Sequence, residues 1–150
     1  DLPRPMSIQN PYSLLNRTFE YGLSEIAMRE KVGLLAYSPL GFGMLTGKYH
    51  KGNPPADGRI TMFKNYSRYS SEQSLNATTK YIEIAKKYNV SMTHLALAFI
   101  NTRLFTTANI IGATKMSQLK ENIESINVEL PKEALKEIEA VHNAIPNPAP

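Results

Sequence analysis

The sequence contains no cysteine in its 150 residues. That absence excludes a disulfide framework, a thiolate metal site and a cysteine nucleophile, and a reducing cytoplasm becomes the expected compartment. Long apolar runs are also missing. The uninterrupted ones are a few residues long, far short of the roughly 20 that cross a bilayer, so no membrane span is expected. The opening residues Asp1, Leu2, Pro3 and Arg4 form no signal-peptide core. No internal repeat has a constant period, and nothing is of low complexity beyond the proline-bearing last five residues. The first residue is not methionine, and Pro3 and Pro5 precede Ile8 as though a strand were entered mid-fold. A fragment or processed product is therefore expected.

What remains is 42% hydrophobic and 20% charged, the balance of one globular domain with an ordinary core. The net charge of +4 is unevenly spread. Between Thr46 and Val90 stand eight bases (Lys48, Lys51, Arg59, Lys64, Arg68, Lys80, Lys86, Lys87) against three acids (Asp57, Glu72, Glu83), whereas from Asn101 onward five bases meet six acids. The basic middle would attract an anion such as a phosphate, and a solvated basic surface explains it equally well. Nucleic acid is not an expected partner, because the bases are not interleaved with aromatics at any motif spacing.

Three short segments have strand patterns, each followed by a helical one. Residues 6–9 precede a helix over 19–30, in which Phe19, Leu23, Ile26 and Ala27 recur at helical spacing. Residues 33–38 are a continuous apolar run ending at Pro39, the pattern of a strand buried on both faces. Residues 107–112 repeat that form, and Ser117 opens a helix through Leu119, Ile123 and Ile126. The insert over 41–69, rich in glycine with Pro54 and Pro55, is mostly loop, with one helical turn expected over 45–49. Ser70 with Gln73 has capping-box spacing ahead of a helix whose inner stripe is Tyr81, Ile84, Ala85 and Tyr88. Ser91 caps the next helix, apolar on nearly every side over 95–100, and Pro131 starts a terminal helix through Leu135, Ile138 and Val141 that Pro146 ends. Alternating strands and helices imply parallel pairing. A closed barrel of eight such units needs about 250 residues, so the chain is either a small open sheet or part of a barrel.

Parallel sheets bind ligands beyond the carboxyl ends of their strands. There the sequence offers Gln9 and Asn10, an amide pair suited to a planar amide; Tyr37, Ser38, Pro39, Leu40 and Gly41, an aromatic face with a backbone that permits close approach; and Gly112, Ala113, Thr114 and Lys115 before a helix N-terminus. Singly, each is more often a core tyrosine or a plain turn. Together on one rim they favour a nucleotide site.

Three stretches are familiar: Gln9-Asn10-Pro11-Tyr12-Ser13-Leu14-Leu15-Asn16-Arg17, then residues 35–49 around Tyr37-Ser38-Pro39-Leu40-Gly41-Phe42-Gly43, then Gly112-Ala113-Thr114-Lys115 through Ile123. They closely resemble the carboxyl-terminal half of the aldo-keto reductases, most of all the bacterial Tas branch and more distantly the potassium-channel β-subunits. The resemblance implies an α/β fold: residues 1–150 as the carboxyl-terminal portion of a (β/α)8 TIM barrel, strands six to eight with their helices, and an amino-terminal half absent from this chain. It also implies that Gln9 hydrogen-bonds the nicotinamide carboxamide and Tyr37 stacks on the ring. Ser38, Pro39, Leu40, Gly41 and Gly43 would wrap the pyrophosphate with Lys48 as a basic partner, and Gly112, Thr114, Gln118, Glu121 and Asn122 would hold the adenosine 2′-phosphate and adenine. Many relatives have Arg where this chain has Gln118; Lys115 is expected to supply that charge, so NADP(H) is the expected cofactor and NAD(H) the less favoured one.

The family reduces aldehydes and ketones with an Asp, Tyr, Lys and His tetrad from its amino-terminal half, and none of those motifs occurs here. The histidines are His50, His94 and His142, and Tyr12, Tyr49, Tyr66 and Tyr69 have surface or packing patterns without a partnered base. No catalytic residue is assigned. The implied function is thus the cofactor-binding half of an NADP(H)-dependent oxidoreductase, inactive alone, whose partners are a small carbonyl substrate and either the missing half or further copies of the chain. The alternative is a non-catalytic nucleotide sensor like a channel β-subunit.

Overall fold

The computed structural model describes residues 2–50, 52, 54–63 and 67–150. Tyr66, and Lys51 and Lys64 of the basic middle, lie outside the described residues. In chain order the elements are β1 (Ser7–Pro11), α1 (Leu23–Glu30), β2 (Gly33–Tyr37), α2 (Arg59–Met62), α3 (Glu72–Lys87), α4 (Met92–Asn101), β3 (Thr106–Asn109), α5 (Met116–Glu124) and α6 (Lys132–Ala144), with short 3-10 turns between several of them.

The three strands form one parallel sheet in the order β1-β2-β3. Ile8 pairs with Leu34, Gln9 with Leu35 and Pro11 with Tyr37, while Ala36 pairs with Asn109. The third strand is shorter at its end than the sequence pattern 107–112 predicts. Its neighbour β2 stops at Tyr37, and the Ile110 amide donating to the Ala36 carbonyl at 2.8 Å is the final rung. The register slips between Leu34 and Leu35. At that irregularity Thr107 Oγ1 comes so near Gly33 that a Cβ there would lie 1.8 Å from it, so any side chain at the first residue of β2 would force the Thr107 side chain to move.

One face of the sheet is packed and the other is open. Leu34 and Ala36 are wholly buried, whereas Leu35 and Tyr37 are half-buried and Gln9 and Ala108 exposed. This corrects the expectation that residues 33–38 are buried on both faces: no second layer in this chain covers the Gln9, Leu35 and Tyr37 side. Side chains alternate along strands, so all three of those residues fall on that side.

The packed side rests on α4. Leu95, Leu97, Phe99 and Ile100 of this helix are fully buried, and it touches α3, α5, β3 and the turn over 41–46. A helix this apolar needs cover on most sides, and the chain itself provides it. Ser91 caps α4 as expected, accepting the His94 amide at 3.0 Å. The cap of α3 is Ser71, which accepts the Ser74 amide at 3.1 Å, not Ser70. The helix expected over 19–30 divides: Gly22 takes φ +94°, outside the helical region, leaving a 3-10 turn at Thr18–Glu20 before α1. Met116 rather than Ser117 opens α5, and the insert holds the short helix α2 as well as 3-10 turns at Gly41–Thr46 and Lys48–His50.

Candidate functional site

Beyond the carboxyl end of β2 the backbone turns sharply. Ser38, Gly41, Phe42 and Gly43 all have positive φ, from +52° to +91°. The turn is closed by the Gly41 amide on the Ser38 carbonyl and the Gly43 amide on the Leu40 carbonyl, both at 2.9 Å. Gly41 is buried between two side chains: a Cβ there would meet Tyr69 Cδ1 at 3.2 Å and Leu15 Cδ1 at 3.5 Å. At Gly43 a Cβ would lie 2.9 Å from Lys48 Cε, because the lysine folds back across the turn with its ammonium 5.2 Å from the Tyr49 ring centre. Both glycines combine a left-handed backbone with a close neighbour, so neither tolerates a side chain. Pro39 is buried, and Ser38 and Leu40 are half-buried along this turn.

A second group gathers where β3 leads into α5. Gln118 Oε1 accepts from the Thr114 amide at 3.0 Å and from its hydroxyl at 3.2 Å, and Asn122 Nδ2 points at the Gly112 carbonyl at 3.5 Å. Gln118 thus spends its carbonyl on fixing the loop and keeps its amide nitrogen for other contacts. Lys115 reaches across to the insert, where Nζ lies 3.6 Å from Asp57 Oδ2 with both side chains largely exposed. This pair links the loop after β3 to the insert. Glu121 is turned elsewhere: its carboxylate accepts the Ser91 hydroxyl at 2.7 Å, and its carbonyl meets His94 Nε2 at 3.0 Å.

The sequence did not single out Asp57, Arg59, whose guanidinium lies 5.3 Å from the Phe42 ring centre, or the buried charges behind the sheet. Arg17, 3% exposed, donates to Glu20 at 2.7 and 2.8 Å and reaches Glu139 at 2.9 Å, which Arg103 also holds at 2.8 Å. Both guanidinium groups lie against the Phe99 ring, 5.1 and 4.1 Å from its centre. Burial pulls the Arg17 guanidinium down, but its bonds to Glu20 and Glu139 outweigh that and hold it above its ordinary value. Burial likewise opposes ionisation of Glu20, yet hydrogen bonds from Arg17 and Tyr12 keep its carboxyl below the usual range. The Tyr12 phenol is pushed far up, by burial first and then by the Glu20 charge. A phenol held in that direction is unsuited to giving up a proton near neutrality. Tyr49 accepts the Ile60 amide and Tyr69 is buried against Gly41, so the described tyrosines among Tyr12, Tyr49 and Tyr69 have packing roles. Among the described residues no cluster of three or more His, Asp or Glu could hold a metal ion, and no helix is long and apolar enough to cross a membrane.

The strand order, the glycine turn after the second strand and the Gly-Ala-Thr-Lys turn after the third have a counterpart among known proteins: the model of the Aldo/keto reductase family matches residues 2–143. The chain belongs to this family. Protein tas of Escherichia coli (strain K12) is 52% identical over 150 residues, covering 100% of this chain and 43% of that protein. A probable voltage-gated potassium channel subunit beta of Oryza sativa subsp. japonica is 34% identical over 153 residues, covering 97% of this chain and 46% of the other. Among solved structures, glycerol dehydrogenase from Gluconobacter oxydans superposes with a TM-score of 0.73 at 24% identity, covering 94% of this chain and 43% of that one. The chain thus spans less than half the length of these relatives. Its α/β architecture is a segment of the aldo/keto reductase barrel, which accounts for three parallel strands with one open face.

Proposed function

We propose that this chain is the NADP(H)-binding half of an oxidoreductase that reduces aldehydes or ketones to alcohols, with the proton-donating residues on the part of the barrel it lacks. The observation that carries this reading is the register of the sheet: Gln9 and Tyr37 share its open face, Tyr37 at the end of β2 and Gln9 in the middle of β1, which runs on to Pro11 instead of ending at Gln9 as its sequence pattern suggests, and the glycine turn follows Tyr37 directly. When bound, a nicotinamide cofactor supplies hydride. The donor set fits such a group. Gln9 offers an amide to a carboxamide, Tyr37 a ring to stack on, the turn that Gly41 and Gly43 shape a compact wall beside it, and Lys48 and Lys115 positive charge for phosphates. Thr114 and Gln118 brace the loop from which Lys115 extends. For NAD(H), Lys115 would have no 2′-phosphate to meet. A second reading, a nucleotide sensor without catalysis, draws on the channel-subunit relative.

The test compares the 150-residue chain with the same chain joined to the amino-terminal part of protein tas, following NADPH oxidation with simple aldehydes. The joined protein should turn over and the chain alone should not, since a missing general acid by itself removes a factor of about 10² to 10⁴. Turnover by the chain alone would overturn this division of labour. A joined protein that binds NADPH without turnover would favour the sensor.

A further inference from the structure

The last described residues run back across the molecule instead of leaving it. Asn147, with φ +46°, ends the descent from α6, and its Oδ1 accepts the Arg17 amide at 2.7 Å while its Nδ2 donates to the Tyr21 hydroxyl at 3.3 Å. The Pro148 carbonyl accepts from the Ser74 hydroxyl at 3.0 Å and lies 3.2 Å from the Ser71 hydroxyl that caps α3. The Ala149 amide donates to the Leu15 carbonyl at 3.0 Å, and Arg68 Nε donates to the Pro150 carbonyl at 2.6 Å. Pro148 and Ala149 are buried. Six residues without regular structure would not be held at this many points by chance packing, since each bond has to offset the entropy of ordering the segment.

What these anchors have in common is Gly41. Its two walls are Leu15 and Tyr69. The segment grips Leu15 through its own carbonyl and Tyr69 through the adjoining Arg68, whose 3-10 turn, Ser67–Tyr69, also sets the Tyr69 ring 5.1 Å from Phe42. We propose that segment 145–150 is a strap that fixes the left-handed turn 38–43 by holding both walls of the Gly41 pocket. That the turn then presents phosphate-binding backbone rests on the function proposed above. Linkage makes the effect reciprocal: a ligand that orders the turn also tightens the strap.

The experiment is amide hydrogen exchange on the chain joined to the amino-terminal part of protein tas and on two variants of it, Arg68→Ala, which removes a side chain outside the strap, and Asn147→Gly, which keeps the positive φ but loses both side-chain bonds. The Ala149 amide reports the strap, the Gly41 and Gly43 amides the turn, and the Leu97 to Ile100 amides the core. The strap account expects exchange at Ala149, Gly41 and Gly43 to rise together by about tenfold or more, with the core amides unchanged. Faster exchange at Ala149 with Gly41 and Gly43 unaffected would overturn it. So would a uniform rise that includes the core, because the segment would then contribute only general stability. Adding NADP+ to the unsubstituted joined chain should protect Gly41, Gly43 and Ala149 alike. If NADP+ protects nothing while the variants behave as expected, the cofactor reading fails and the strap stands.

Discussion

At the scale of single residues, two positions have requirements that no periodicity reveals. Gly33 opens β2 because Thr107 occupies the space of its Cβ. Gly33→Ala should therefore lower stability by about 1–3 kcal/mol, as overpacking does, and Thr107→Ala in the same chain should recover part of it. Equal denaturation midpoints for wild type and Gly33→Ala would contradict the close approach. Arg17 is the second. It looks like one more base in the sequence, but replacing it with Met leaves Glu20 with only the Tyr12 hydroxyl and Glu139 with only Arg103, and should cost about 3 kcal/mol or more in urea unfolding. His142 adds a pH dependence. Burial, and then the nearby Arg17 charge, hold its imidazole below the ordinary 6.5, while Glu20 and Glu139 oppose and Arg103 adds to the shift. The unfolded chain then binds the proton first, so the stability is present above the ordinary value and is lost as pH falls from there to the folded value. His142→Asn should flatten that limb of the stability curve below the ordinary value of 6.5, and an unchanged slope would show that the ring does not set it.

At the scale of elements, composition and spacing were enough for the existence and order of the three strands and five of the six α-helices among the described residues, since each has its own apolar period. Boundaries depended on partners. β3 ends where β2 stops offering rungs, and α1 starts late because Gly22 leaves helical space. The cap of α3 lies one residue beyond the box that Ser70 and Gln73 suggest, because Ser71 is the residue whose hydroxyl faces the Ser74 amide. Ser71→Ala should lower stability by about 1 kcal/mol. The site was legible in the same uneven way. The glycine turn and the Thr114 and Gln118 loop lie in continuous sequence, so their grouping could be read directly. The Lys115 and Asp57 pair, the Glu121 bond to Ser91 and the strap arise from tertiary contacts between distant segments, and nothing local marks them.

At the scale of the molecule, the barrel segment exposes apolar surface. An apolar groove of about 230 Å³ lies between β1 and α1, walled by Ile8, Phe19, Leu23, Ile26 and Val32, and Leu104, Met116, Ile123 and Ile126 are exposed elsewhere in the chain. Open edges and faces of this kind invite pairing. The chain by itself should therefore sediment as an oligomer or bind a hydrophobic dye, and a dye-silent monomer with a cooperative melt would show that three strands and their helices suffice. The proposed function requires that the strands and the two loops beyond their ends form a pyridine-nucleotide site that selects the 2′-phosphate. It is tested most directly by titrating NADPH and NADH into the chain joined to the rest of the barrel, as wild type, Tyr37→Ala and Lys115→Ala. Tyr37→Ala should weaken both nucleotides, and Lys115→Ala should raise the Kd for NADPH roughly tenfold, as loss of a charge-assisted bond does, with NADH unchanged. Identical Kd values for both nucleotides in all three proteins would contradict the account.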